Sequence, residues 1–216
     1  MRNNRNSRIH TIYEVVKNLP AFTLADISPI EQDTTYLKIL LGRYAKKGKL
    51  VRLKRGLYVA PEYIDRLEKT QRFNGYKSFL ANLLYEPSYL SLEYMLFEYH
   101  LLTEMPVHYT SISTRKTQTF QNAFGQFNYH SIKSGLFHGF TKKMIGGFSV
   151  QQATKAKALF DFLYLRQHLL FDATAIDALR INTDQLTQKD KKEFRSFIKQ
   201  AQSKHLQDIG KYMIEN

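Results

Sequence analysis

Apolar residues recur at helical spacing from near the start of the chain. Ile9, Ile12, Val15, Val16 and Leu19 predict a first helix over about residues 7–18, ended by Pro20. Residues 22–27 predict a short second helix with Thr23 as its N-cap, broken at Ser28-Pro29. Asp33-Thr34 opens a third, in which Leu37, Leu40, Leu41 and Tyr44 fall at i, i+3, i+4 and i+7 and make one core stripe. The opposite face of that helix carries Thr35, Lys38, Ile39, Gly42, Arg43 and Lys46. Gly48 stops it after Lys46-Lys47, a cationic last turn that suits the helix dipole. Residues 50–55, Gly56 and residues 57–59 then predict two short strands about a tight turn, closed by Pro61.

The pattern changes beyond residue 61. Residues 62–72 are polar and read as a linker. Residues 73–85 and 88–100 read as two helices separated by Glu86-Pro87, with Ser88 or Ser91 as N-cap of the second. Residues 109–114, 118–122 and 126–132 alternate Thr, Tyr, Phe and Ile, which predicts strands, with turns at Gly125, Ser134-Gly135 and Gly146-Gly147. Residues 153–170 predict a strong helix, and the remainder is mainly helical, with Phe194, Phe197 and Ile198 facing inward. The expected class is α+β: three short helices and a hairpin over residues 1–61, then a larger mixed domain over residues 73–216 with a mainly helical tail. Helix, helix, helix, basic hairpin is the order of a winged helix-turn-helix.

Charge sharpens this division. The chain of 216 residues has 32 Lys and Arg against 19 Asp and Glu, a net charge of +13. Residues 1–60 alone hold 12 basic and 4 acidic residues, so +8 sits in little more than a quarter of the length. Such an excess favours a polyanionic partner, nucleic acid first and an acidic protein or membrane surface second. A helix of this length fits the major groove, with Thr34, Thr35 and Lys38 offered to bases and phosphates. Arg43, Lys46, Lys47 and Lys49 extend the cationic surface. Arg52, Lys54 and Arg55 on the hairpin reach the flanking backbone or the minor groove.

The rest of the chain offers little chemistry. There are no cysteines, which excludes disulfide staples, a thiol nucleophile and any Cys-ligated metal. The seven histidines show no metal-ligand spacing, and the chain lacks phosphate-binding glycine loops and the nucleophile-elbow motif. The expectation is a non-enzymatic protein with no catalytic residue, metal or cofactor. Asp161, set among Leu159, Phe160, Phe162 and Leu163, reads as a buried acid, or, as is more common for such an Asp, as one that pairs with a nearby base or rides the helix edge. Lys142, Lys143, Lys155 and Lys157 form a second basic cluster that faces DNA, a protein or only water. No stretch reaches the length of a clean apolar membrane span, so the expected location is the cytoplasm, away from membranes.

Several strings carry a family resemblance. Gly48-Lys-Leu50, Arg52 and Arg55-Gly-Leu-Tyr58 are followed by Pro87-Ser-Tyr-Leu-Ser-Leu-Glu-Tyr94, Leu101-Leu-Thr-Glu-Met105 and Thr110-Ser-Ile-Ser-Thr-Arg-Lys-Thr117. Phe124-Gly-Gln-Phe127, Tyr129, Ile132, Lys133 and Lys157-Ala-Leu-Phe-Asp-Phe-Leu-Tyr164 continue the series. In this order, over about residues 9–170, the chain resembles the AbiEi-type antitoxins of type IV toxin–antitoxin, or abortive-infection, systems. The resemblance implies a winged helix that represses its own operon at promoter repeats, often cooperatively and so with self-association on DNA. It also implies a second domain that counteracts a nucleotidyltransferase toxin encoded downstream, in some members without a stable complex. It supplies no catalytic residues. Two other readings stay open at this level: a ligand-responsive transcriptional regulator unrelated to a toxin, and an enzyme acting on nucleic acid.

Overall fold

The computed structural model describes residues 2–215 and places the chain in the mixed α+β class, 50% helical and 20% strand, with two sheets. The chain folds as two units. One comprises the chain through Lys77 together with Phe120–Gly125. The other comprises Ser78–Thr119 and the chain from Gln126 onward.

In the first unit, helix α1 (Arg2–Val16) begins earlier than its apolar spacing suggests. It buries Ile12 and Val16 and stops short of Pro20. Phe22–Thr23, expected to open a helix, is instead a short strand, β1, and only Leu24–Ile27 is helical (α2). The reason is local. Asp26 accepts hydrogen bonds from the Thr23 amide (2.6 Å) and hydroxyl (2.8 Å), which holds Thr23 extended as the helix cap. Phe22 thereby pairs with Tyr58 across the sheet. Helix α3 (Thr34–Lys46) is capped by Asp33, whose carboxylate accepts from the Tyr36 amide at 2.9 Å. It ends where Gly48 takes a positive φ of +70°. Strands β2 (Val51–Lys54) and β3 (Leu57–Val59) follow, antiparallel about Arg55-Gly56, where Gly56 has φ +79°. The sheet order is β1-β3-β2. Ile12, Val16, Phe22, Ile27, Leu37, Leu40, Leu41, Leu50, Tyr58 and Ala60 close over one another as the core.

The segment 62–72, expected to be a linker, is helical through Lys69. Pro61 occupies the first turn of α4 (Pro61–Lys69), where its missing N–H costs nothing, and Ile64 and Leu67 are buried. The Arg66 guanidinium donates to the Lys17 carbonyl at 2.5 Å, and Tyr76 donates to the Pro20 carbonyl at 2.7 Å.

Helix α5 (Phe73–Leu83) leads to a further correction. Ser88–Leu90, expected to begin a helix, forms strand β4, because Tyr89 and Leu90 are both fully buried. Helix α6 is confined to Leu92–Glu98. Strands β5 (Tyr109–Ser113), β6 (Gln118–Asn122), β7 (Gly125–Ser131), β8 (Phe140–Ile145) and β9 (Phe148–Ala153) complete a six-stranded sheet of order β6-β7-β5-β4-β9-β8. The β5–β7 and β4–β9 pairs are parallel, and β4–β5 and β8–β9 are antiparallel. Helix α7 (Lys155–Arg166) is capped by Thr154 and packs against α6 and α9 (Gln188–Gln200). The short α8 (Ala173–Asp177) and α10 (Lys204–Glu215) complete the tail.

Buried tyrosines give the fold a testable alkaline signature. Burial pushes the phenols of Tyr76, Tyr89, Tyr109 and Tyr129 well above their usual value, and burial together with the Glu62 carboxylate lifts Tyr13 to about 12. In the unfolded chain these phenols ionise near pH ~10. Folded values raised above the unfolded one mean that the contribution is intact below about pH 10 and is lost as pH rises through the folded values. A spectrophotometric titration should show fewer than the full 14 tyrosines ionising near pH ~10 in the native chain, and all 14 in urea.

Candidate nucleic-acid interface

Helix α3 turns its apolar stripe inward: Leu37 is fully buried and Leu40 and Leu41 nearly so. At about 100° per residue, the positions opposite that stripe must face solvent. Thr35, Lys38, Ile39, Arg43 and Lys46 are exposed there, as are Thr34 at the helix start and Lys47 and Lys49 beyond the helix end. Lys49 carries its ammonium over the Tyr44 ring, 5.5 Å from the centroid.

On the hairpin, Leu53, Leu57, Tyr58 and Val59 fill the inner side while Arg52 and Arg55 are exposed. The register shifts between Arg52 and Lys54, a bulge that twists the strand just before the turn. The Arg52 Nε donates to the Lys54 carbonyl at 3.4 Å, and the half-buried Lys54 places its ammonium 5.9 Å from the Phe120 ring centroid. All ten positions singled out in the sequence of this unit therefore lie on one helix, the turn after it, and the hairpin that follows. Nine of them, all but Lys54, are exposed. Among the described residues, no carboxylate forms a salt bridge with Lys38, Arg43, Lys46, Lys47, Lys49, Arg52 or Arg55.

The second basic cluster is divided by the structure. Lys142 and Lys143 are exposed on β8, and Lys155 is half-buried, its ammonium donating to the Gln185 carbonyl at 2.7 Å. Lys143 and Lys155 flank the Tyr99 ring at 5.8 and 6.0 Å. Lys157 does not belong to that surface. It is completely buried, one helical turn from Asp161, and the two pair at 2.8 Å. Asp161 also accepts from Tyr89 (3.0 Å) and Ser91 (2.8 Å), and Lys157 donates to the Leu136 carbonyl at 2.7 Å. The Phe160 and Phe197 rings lie 4.5 and 5.2 Å from the ammonium. Burial raises the Asp161 carboxyl and lowers the Lys157 ammonium relative to free side chains, while their pairing opposes both shifts. Every donor here is committed within the core, so the arrangement holds structure together and meets no solvent-borne ligand.

Among the described residues, no His, Asp and Glu side chains group in a way that could hold a metal ion, and no helix is long and apolar enough to cross a membrane. Compared with known families and with curated proteins, the sequence matches no family model and no curated relative.

Proposed function

We propose that this chain is a DNA-binding antitoxin of the AbiEi type, a cytoplasmic autorepressor whose first unit is a winged helix-turn-helix. In this reading α3 enters the major groove and the β2–β3 hairpin is the wing. The observation that carries it is the placement of Lys38, Arg43, Lys46, Lys47, Arg52 and Arg55 as exposed cations on α3, its C-terminal turn and the hairpin, without carboxylate partners among the described residues. Cations left without acidic partners suit phosphate contacts, where each neutralised phosphate releases counterions. The second unit supplies the antitoxin activity against a nucleotidyltransferase toxin, as the ordered strings of β4, α6, β5 and α7 suggest. It acts without chemistry of its own.

The first half of this reading is tested by band shifts on the DNA upstream of the protein's own coding sequence. Lys38→Ala, Arg43→Ala and Arg55→Ala together should weaken binding roughly a hundredfold or more near 0.1 M salt. They should also flatten the log–log salt dependence by about 2.7, at ~0.9 per phosphate contact. All three positions are exposed, so the far-UV circular dichroism should not change. Equal affinity of the triple variant and the wild type would count decisively against DNA binding by this face. The second half is tested by co-expression: the chain should rescue growth from a nucleotidyltransferase encoded immediately downstream, and failure to rescue removes the antitoxin assignment.

A further inference from the structure

The outward face of α3 has a centreline. Leu37, Leu40 and Leu41 define the buried side, and at about 100° per residue Thr35, Ile39, Gly42 and Lys46 fall almost diametrically opposite. Lys38 and Arg43 stand to either side of that line. A cation on each flank is the arrangement that reaches the two phosphate strands bordering a groove. What lies on the centreline is then aimed at the groove floor.

Two residues on that line are not explained by folding. Ile39 is 57% exposed, a large aliphatic side chain held between two charges. Gly42 sits in mid-helix, where glycine is the poorest ordinary helix former, yet a Cβ built there meets nothing within 4 Å. No neighbour within the chain requires the missing side chain. An approaching surface would: without a Cβ at position 42, the helix can come closer to whatever lies in front of it.

We infer that Ile39 reads the 5-methyl group of a thymine in the major groove, and that Gly42 sets the close approach which makes this contact. The inference rests on the DNA-binding reading above and adds its sequence specificity. A thymine methyl is the only alkyl group that a base pair of unmodified DNA presents in the major groove, and an aliphatic side chain is its natural complement. The hydroxyl and methyl of Thr35, one turn earlier on the same line, continue the surface.

The test uses the full chain and duplexes selected by it from a randomised pool. In the recovered site each thymine is replaced in turn by deoxyuracil, which pairs identically and lacks only the methyl. For the wild type, one or two positions should lose about fourfold in affinity per methyl contacted. Ile39→Ala should bind more weakly and be indifferent to uracil at those same positions. Gly42→Ala should raise Tm by about 2–4 °C while weakening duplex binding, the opposite of what a purely structural glycine gives. Selected sites that bind the wild type equally with thymine or uracil throughout would overturn the inference and leave DNA binding intact. The same holds for an Ile39→Ala variant that keeps the uracil penalty. A wild-type chain that retains no duplex from the pool even at low salt overturns the DNA-binding reading itself.

Discussion

Asp161→Ala should destabilise the second unit by about 3–5 kcal/mol, the largest effect of any single substitution considered for this chain. The variant leaves the Lys157 ammonium fully buried, with the Leu136 carbonyl and two aromatic rings as its remaining company. It also strips the Tyr89 and Ser91 hydroxyls of their acceptor. Against a total stability of about 5–15 kcal/mol, this is a large share. The pair itself is worth far less than breaking it costs, because taking both charges out of water offsets most of their attraction. The double variant Lys157→Met, Asp161→Leu should therefore be less destabilised than Asp161→Ala alone, although two hydroxyls and one carbonyl still lack partners. Urea unfolding followed by far-UV circular dichroism reads both variants. A double variant at least as unstable as Asp161→Ala would mean that the loss does not come from stranding the buried ammonium.

Gly139→Ala should cost about 2–5 kcal/mol through two separate causes. The residue has φ +80°, a backbone region that costs a Cβ-bearing residue about 1–2 kcal/mol. An added Cβ would also stand 2.4 Å from Cζ of Phe197 and 3.2 Å from Cδ of Lys157. Neither neighbour is free to move. Phe197 is 4% exposed and packs on Phe160, with ring centroids 5.6 Å apart, and Lys157 is tied to Asp161. Overpacking of this kind typically adds about 1–3 kcal/mol. Combining Gly139→Ala with Phe197→Leu should recover part of the loss, since the shorter side chain relieves the clash and leaves only the backbone strain. If Gly139→Ala unfolds at the wild-type urea midpoint, Phe197 and Lys157 do not close over this turn.

The first unit is legible in the sequence to the extent that it obeys one period. Leu37, Leu40, Leu41 and Tyr44 announce α3 and, by exclusion, its cationic face, and Arg55-Gly56 announces the hairpin. Where the period fails, the pattern misleads. Phe22–Thr23 is too short to alternate, and Ser88–Leu90 is buried on both sides, so neither strand displays a polar face. Pro61 reads as the end of a strand, whereas it also begins α4, a position proline tolerates equally well. Helix α7 is the extreme case. Every residue from Ala156 to Leu163 is buried, so Lys157 carries no sign that it belongs to the interior. The one available clue is spacing: an acid four residues after a lysine on a helix is a ready pair. Ile39 and Gly42 are visible on the outer face, but only the exposure of Ile39 and the open space at position 42 set them apart from their neighbours.

The ammonium at the centre of the second unit is roofed by a ring from α9, and this bears on how the molecule is made. Helix α7 leaves the ribosome some thirty residues before Phe197 does. During that interval the lysine has its acid on the same helix but no aromatic cover. The sheet and α7 can then only wait half-assembled, with the charge still hydrated, until the late helix swings over and expels the water. Closure over this charge thereby has to follow the synthesis of α9, and the nascent chain stands exposed to chaperones and proteases until it occurs.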